Sequence, residues 1–268
     1  MSRYPSLVSI DLTADTICIT LYHSKYKYNE VSSIFLFRSF HIVEIFLQPT
    51  EACLDSGAVT YPLIYVSPAG TISVVLSHDV IIEMAVDRSI RVVCHDNFAA
   101  FMNSRGTSSS ILHTKARILH TKERASVVAL DQLQFSLMDS DYTVKLFYKE
   151  AQSGNQVMFM AMCKDIVHEA SYERKTDGTL IMHINGMVVR QTRGGDVTVD
   201  ARPRIILCSP SCSTVHVRSA YIDMGIQDDK AFVKRGLKRV HVSRSGMVVS
   251  DGNSATSMDH FGRIVSCT

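Results

Sequence analysis

Residues 175–199, KTDGTLIMHINGMVVRQTRGGDVTV, constrain the fold more than any other stretch. Three short apolar runs are separated there by Asp177-Gly178, Asn185-Gly186 and Gly194-Gly195. Asn-Gly between alternating apolar residues is the strongest short-range hairpin signal, because both turn positions take positive φ. A two-residue loop at Asn185-Gly186 sets Ile184 opposite Met187, Met182 opposite Val189 and Leu180 opposite Gln191. Directly opposed residues share a face. Leu180, Met182, Ile184, Met187 and Val189 are therefore expected on one apolar face, with Ile181, His183, Val188 and Arg190 on the other. At the last turn, a three-residue loop of Arg193, Gly194 and Gly195 places Val197 and Val199 on the apolar face; a two-residue loop sends them to the opposite face. The three-residue loop is expected, because a one-residue slip moves a whole strand's core residues into water.

Turn-strand alternation continues on both sides of this meander. Strands are expected at 17–21, 63–66, 71–76, 80–86, 89–93, 127–130, 133–138 and 142–148 upstream. Downstream they are expected at 204–208, 215–218, 232–233, 240–242 and 264–265. A two-residue loop at Ser245-Gly246 would pair Val242 with Val249. Gly-x-apolar-x-apolar recurs at Gly70, Gly178, Gly195 and Gly246. The echoed pieces ILHTKAR and ILHTKER, at Ile111 and Ile118, are two copies, too few to make a repeat architecture.

The apolar period changes once. Between 156 and 170, Val157, Met158, Met162, Ile166 and Ala170, with Phe159, Cys163 and Val167 beside them, recur at spacings of three and four, in a stretch without Gly or Pro. One amphipathic helix over about 155–170 is expected, docked on the sheet by core packing. The fold class is thus mainly β, antiparallel hairpins and meanders with one docked helix. An N-terminal segment of 1–55 is weakly specified, and 56–268 forms the β-rich domain, with a candidate split near 172.

Composition narrows the function classes. The chain of 268 residues is 46% hydrophobic and 20% charged, which suits a packed globular protein. It has no Trp, so Trp-based repeats are excluded. The seven Cys are odd in number and scattered, as expected for reduced thiols in the cytoplasm rather than a secreted disulfide framework. No signal peptide is evident, and the apolar stretch 31–47 carries Arg38, His41 and Glu44, too many charges for a membrane span.

Chemistry-bearing motifs are sparse. Cys208, Cys212 and His216 have a loose metal-like spacing, but zinc sites need convergent ligands and a second close pair. A metal or other cofactor is not expected, and the residues are read as buried or loop thiols with a strand histidine. His113 and His120 would need a partner within hydrogen-bond reach for acid–base work. No nucleophile elbow, metalloprotease helix or phosphate loop is present, so no catalytic residue is assigned and the chain is read as non-enzymatic.

The charge pattern says more. Between 202 and 244 lie nine Lys and Arg against three Asp. Arg218, Lys230, Lys234, Arg235, Lys238, Arg239 and Arg244 are candidates for binding an acidic partner. Basic strand edges that discourage aggregation are the alternative. No series of aromatic residues interleaves with these charges as single-stranded nucleic-acid binding requires, so a nucleic-acid partner is not expected.

The phrases SRGTSSSILHTKARILHT, KTDGTLIMHINGMVVRQT and DHFGRIVS resemble the hairpin-rich segments of ciliary and flagellar proteins, such as the sperm-associated antigen proteins of the axonemal central pair. That resemblance implies a structural part in a microtubule-based assembly, in the cytoplasm or a cilium, with other proteins as partners. The alternative is a polo-box-like peptide-binding module in residues 63–170, whose strand, Asp-rich turn, strand and helix would run from 133 to 170.

Overall fold

In a computed structural model, residues 6–13, 17–23, 44–46, 61–67, 69–94, 97–129, 146–147 and 156–267 are described. The chain builds two large antiparallel sheets. The first begins with β1 (Ser6–Thr13), β2 (Ile17–His23), β3 (Glu44–Phe46) and β4 (Leu63–Val66). It continues through β5 (Thr71–Val75), β6 (Val80–Ala85), β7 (Ile90–Cys94) and β8 (Phe98–Met102). β9 (Ser109–His113), β10 (Ala116–His120) and β11 (Arg124–Ala129) complete it. β3 to β11 pair in chain order, and the β1–β2 hairpin docks on β11.

Helix α1 (Gln156–His168) leads into the second sheet. That sheet opens with β12 (Ser171–Arg174), β13 (Leu180–Ile184), β14 (Met187–Gln191) and β15 (Val197–Ala201). β16 (Arg204–Ser209), β17 (Thr214–Arg218), β18 (Asp223–Gln227) and β19 (Lys230–Arg235) follow. β20 (Lys238–Ser243), β21 (Gly246–Ser250), β22 (Ala255–Asp259) and β23 (Ile264–Cys267) end it. All twelve strands pair with their neighbours in sequence, an uninterrupted meander.

The expected register at Asn185-Gly186 is observed: Ile184 faces Met187, Met182 faces Val189 and Leu180 faces Gln191. Asn185 and Gly186 have φ of 52° and 67°, the left-handed pair that this turn requires. The next turn is the three-residue loop. The Thr192 amide donates to the Asp196 carbonyl at 2.9 Å, with Gly195 at φ 94°. Val197 and Val199 accordingly lie in the core beside Met182 and Val189. The same five-residue frame closes at Gly70, Gly178 and Gly262, which explains most of the recurring glycine phrase.

Gly246 is the exception. Ser243 pairs with Gly246 and Val242 with Met247, so the loop is Arg244-Ser245, displaced from the expected register. A Cβ on Gly246 would lie 2.0 Å from the Met258 carbonyl oxygen. The glycine serves the close approach of β22 rather than the turn. Several further strands, among them β8, β9, β10, β18 and β22, were not expected from the sequence. β8 is buried at every position, which removes the period-two signal. Leu146 and Phe147, expected in a strand over 142–148, are helical. The strand expected at 133–138, and much of the 133–170 segment behind the polo-box-like alternative, lie outside the described residues.

The two sheets pack face to face. Ile72, Ile82, Val92, Ala100, Ile111, Ile118 and Val127 of the first meet Met182, Val199, Ile206, Val217, Met224 and Val233 of the second in one core. The layers advance together. Ser77 bonds Gln191, Asn97 bonds Pro210, Gly106 bonds Ser219 and Lys122 bonds Arg235, each pair 113 or 114 residues apart in the chain. Turns of one meander thus clasp the corresponding turns of the other. Arg204, buried, donates to the carbonyls of Arg88 (2.7 Å) and Asn103 (3.0 Å). Helix α1 sits against β4 and β5 with Cys163 and Val167 in the core and Met158 exposed. Gly70 makes this docking possible, since a Cβ there would lie 2.5 Å from the Phe159 Cβ.

Candidate protein-interaction face

The two outer faces differ. On the first sheet, Glu83, Arg91, Ala99, Phe101 and Ser110 point away from the shared core and are nevertheless buried. Phe101 meets Phe147 edge-on at 6.4 Å, and Glu83 pairs with Arg91 beneath this cover. The outer face of the second sheet is open: Arg190, Leu207, Arg218, Lys234, Arg239, His241 and Val248 are all exposed.

Its register arranges these side chains in rows that cross the strands. One row runs Thr198, Leu207, His216, Gly225, Phe232, His241, Val248. Its centre is aromatic: Phe232 lies 5.4 Å from the His216 ring and 6.1 Å from the His241 ring. Gly225 gives the Phe232 ring its seat, because a Cβ there would lie 2.8 Å from that ring. The neighbouring row runs Arg218, Asp223, Lys234, Arg239. The Asp223 carboxylate is held by the His216 imidazole. Arg218, Lys234 and Arg239 therefore present positive charge beside an apolar strip. A shallow cavity of about 340 Å³ opens next to Phe232, bordered by Asp196, Leu207, Thr214, His216 and Gln227.

The seven basic residues singled out in the sequence do not all gather here. Arg218, Lys234 and Arg239 share the row, and Lys230 projects from the same side of β19, two residues before Phe232. Arg235 and Lys238 close the β19–β20 hairpin on its other side, where Arg235 donates to the Lys122 carbonyl. Arg244 lies in the next turn, near Asp229. Asp229 pairs with Lys115, which holds its carboxyl below the usual range. Phe232, His216, His241, Leu207 and Val248 were not expected from the sequence as surface groups. Their signal is the alternation in VHVR, KAFVK and RVHV, in which Val faces inward and His or Phe outward.

The remaining motifs form no site. Cys208 points into the core, where burial pushes its thiol up to about 12, while His216 occupies the opposite face and Cys212 is exposed. Among the described residues, no three His, Cys, Asp or Glu side chains come together to hold a metal. His113 and His120 are core residues. His113 Nε2 bonds Ser213, and His120 Nδ1 bonds the Ser109 hydroxyl at 3.1 Å. Burial lowers both pKa values, that of His120 to about 4. Among the described residues no helix is long and apolar enough to cross a membrane.

With this geometry in place, comparison with known proteins gives a family. A model described as Domain of unknown function (DUF8796) matches residues 62–126 and 121–268. The chain belongs to this family. No curated protein matches it, so the axonemal phrasing of the turns gains no support there. Among solved structures, the TCP10 domain of Danio rerio CPAP in complex with a peptide of Danio rerio STIL is similar. It shows 10% identity, covers 77% of this chain and 93% of that chain, and has a TM-score of 0.31. The same domain without the peptide gives 12% identity, 76% and 98% coverage, and 0.30. A CPAP G-box domain structure gives 8%, 76% and 96%, and 0.30. At such scores the similarity carries nothing about partners.

Proposed function

We propose that the chain is a non-enzymatic interaction module whose second sheet binds an acidic protein segment, in keeping with a part in a microtubule-based assembly. The observation that carries this reading is the row of Arg218, Lys234 and Arg239 beside the half-buried rings of His216 and Phe232 and the exposed His241, on the sheet face left open among the described residues. Exposed like charges on adjacent strands repel one another, and a partner carboxylate relieves that repulsion. Scattered edge protection would place such charges on terminal strands, whereas β17, β19 and β20 are interior strands.

The test is co-sedimentation of purified protein with microtubules, intact or stripped of their acidic tails by limited proteolysis. Binding to intact microtubules that weakens with salt, and weakens roughly tenfold in R218E/K234E/R239E, is expected. Equal binding by the triple variant contradicts the surface. Equal binding to stripped microtubules contradicts the tails as the acidic segment.

A further inference from the structure

The acidic-segment reading leaves open what chemistry besides charge the face recognises, and the inference here rests on that reading. Along β19 the outward side chains are Lys230, Phe232 and Lys234. Alternate strand positions lie about 7 Å apart, so an ammonium stands on each side of the ring. Arg239 faces Lys234 from β20 and His241 faces Phe232, extending both features to the next strand. On the other side of the ring lies the cavity of about 340 Å³, lined among others by Leu207, Thr214, His216, Gln227 and Phe232. That volume accommodates one large side chain but no extended ligand.

Two details bear on what enters it. Leu207 is 38% exposed, so the wall it forms is apolar and accessible to solvent. Of the carboxylates nearest the cavity, Asp223 is engaged by His216 and Asp200 by Arg202, while Asp196 stands at the cavity rim. The cavity therefore offers the apolar surfaces of Leu207 and Phe232 among polar groups, and the basic row of Arg218, Lys234 and Arg239 runs beside it. Charge alone needs no recess, and an apolar partner alone needs no basic row.

We propose that this face recognises a short acidic segment through one bulky apolar anchor, flanked on both sides by carboxylates. The anchor fills the recess between Leu207 and Phe232. The carboxylates on its two sides meet Lys230 and Lys234, with Arg218 and Arg239 receiving further acidic residues. Apolar contacts that exclude water mainly set dissociation, whereas exposed charges mainly set encounter.

The experiment compares two fluorescein-labelled peptides by anisotropy: three glutamates, a phenylalanine and three glutamates, and the same peptide with serine at the centre. The phenylalanine peptide is expected to bind about tenfold more tightly. Leu207→Ser is expected to reduce that advantage to about twofold or less. Phe232→Ser is expected to act alike, and should it fail to fold, Leu207→Ser decides alone. The triple variant R218E/K234E/R239E weakens both peptides. Equal affinities for the two peptides would overturn the anchor and leave the acidic-segment reading standing. An advantage that survives Leu207→Ser would overturn the recess as its site. No binding of either peptide at low salt would overturn both proposals.

Discussion

Single residues carry consequences that can be measured separately. His120 is 2% exposed, and its pKa is lowered to about 4, first by burial and then by the Arg235 charge. In the unfolded chain its pKa returns to about 6.5. The unfolded state therefore binds the extra proton between those values, and stability is lost as pH falls from about 6.5 toward 4. A fully realised shift contributes roughly 3 kcal/mol over that window. His120→Gln should flatten the fall in urea midpoint across this range, and an unchanged slope would contradict burial of the imidazole. Two glycines give a second contrast. Gly246→Ala drives a Cβ into the Met258 carbonyl, whereas Gly236, at φ 59°, has nothing within 4 Å of the added atom. Gly236→Ala should cost only the left-handed strain, about 1 kcal/mol. Gly246→Ala should cost clearly more, and equal midpoints would contradict the close approach of β21 and β22.

At the scale of elements, the β13–β14 turn has two roles that substitutions separate. Asn185 takes a positive φ, and its side-chain amide donates to the Ala85 carbonyl on the other sheet at 3.0 Å. Asn185→Gly keeps the backbone conformation and loses the bond, so a cost of about 1 kcal/mol is expected. Asn185→Ala adds the steric penalty and should cost about twice that in thermal or urea unfolding. A smaller effect for the Ala variant than for the Gly variant would contradict the turn type. These hairpins were the legible part of the fold because turn chemistry and period-two alternation both act locally. Val197 and Val199 follow from one loop length, and Cys163 and Val167 from one helical period. What was hidden depends on distant chain. β8 lost its alternation because both of its faces are covered, and the outward Phe232 became visible as a surface group only once the inner partners of Val233 and Ala231 were known. The basic residues divided for the same reason: sequence order places Arg235 beside Lys234, whereas the strand sends them to opposite sides.

Across the whole molecule, the two meanders are joined turn to turn as well as through the core. Arg204 is a buried clasp: desolvation lowers its pKa, and its Nη1 donates to two neutral carbonyls. Arg204→Met leaves those carbonyls without that donor and should cost roughly 3 kcal/mol in urea unfolding. A neutral result would contradict the clasp. With the sheets joined in this way, the second sheet's outer face stays exposed among the described residues, and a partner bound there is what remains to be detected. Zero-length carbodiimide cross-linking in cell extract, read by mass spectrometry, tests it most directly, because it joins lysines only to carboxylates in contact. The account predicts that Lys230 and Lys234 are joined to aspartate or glutamate of a partner protein. Partner cross-links confined to Lys115, Lys122, Lys164 or Lys175, with none at Lys230 or Lys234, would contradict it.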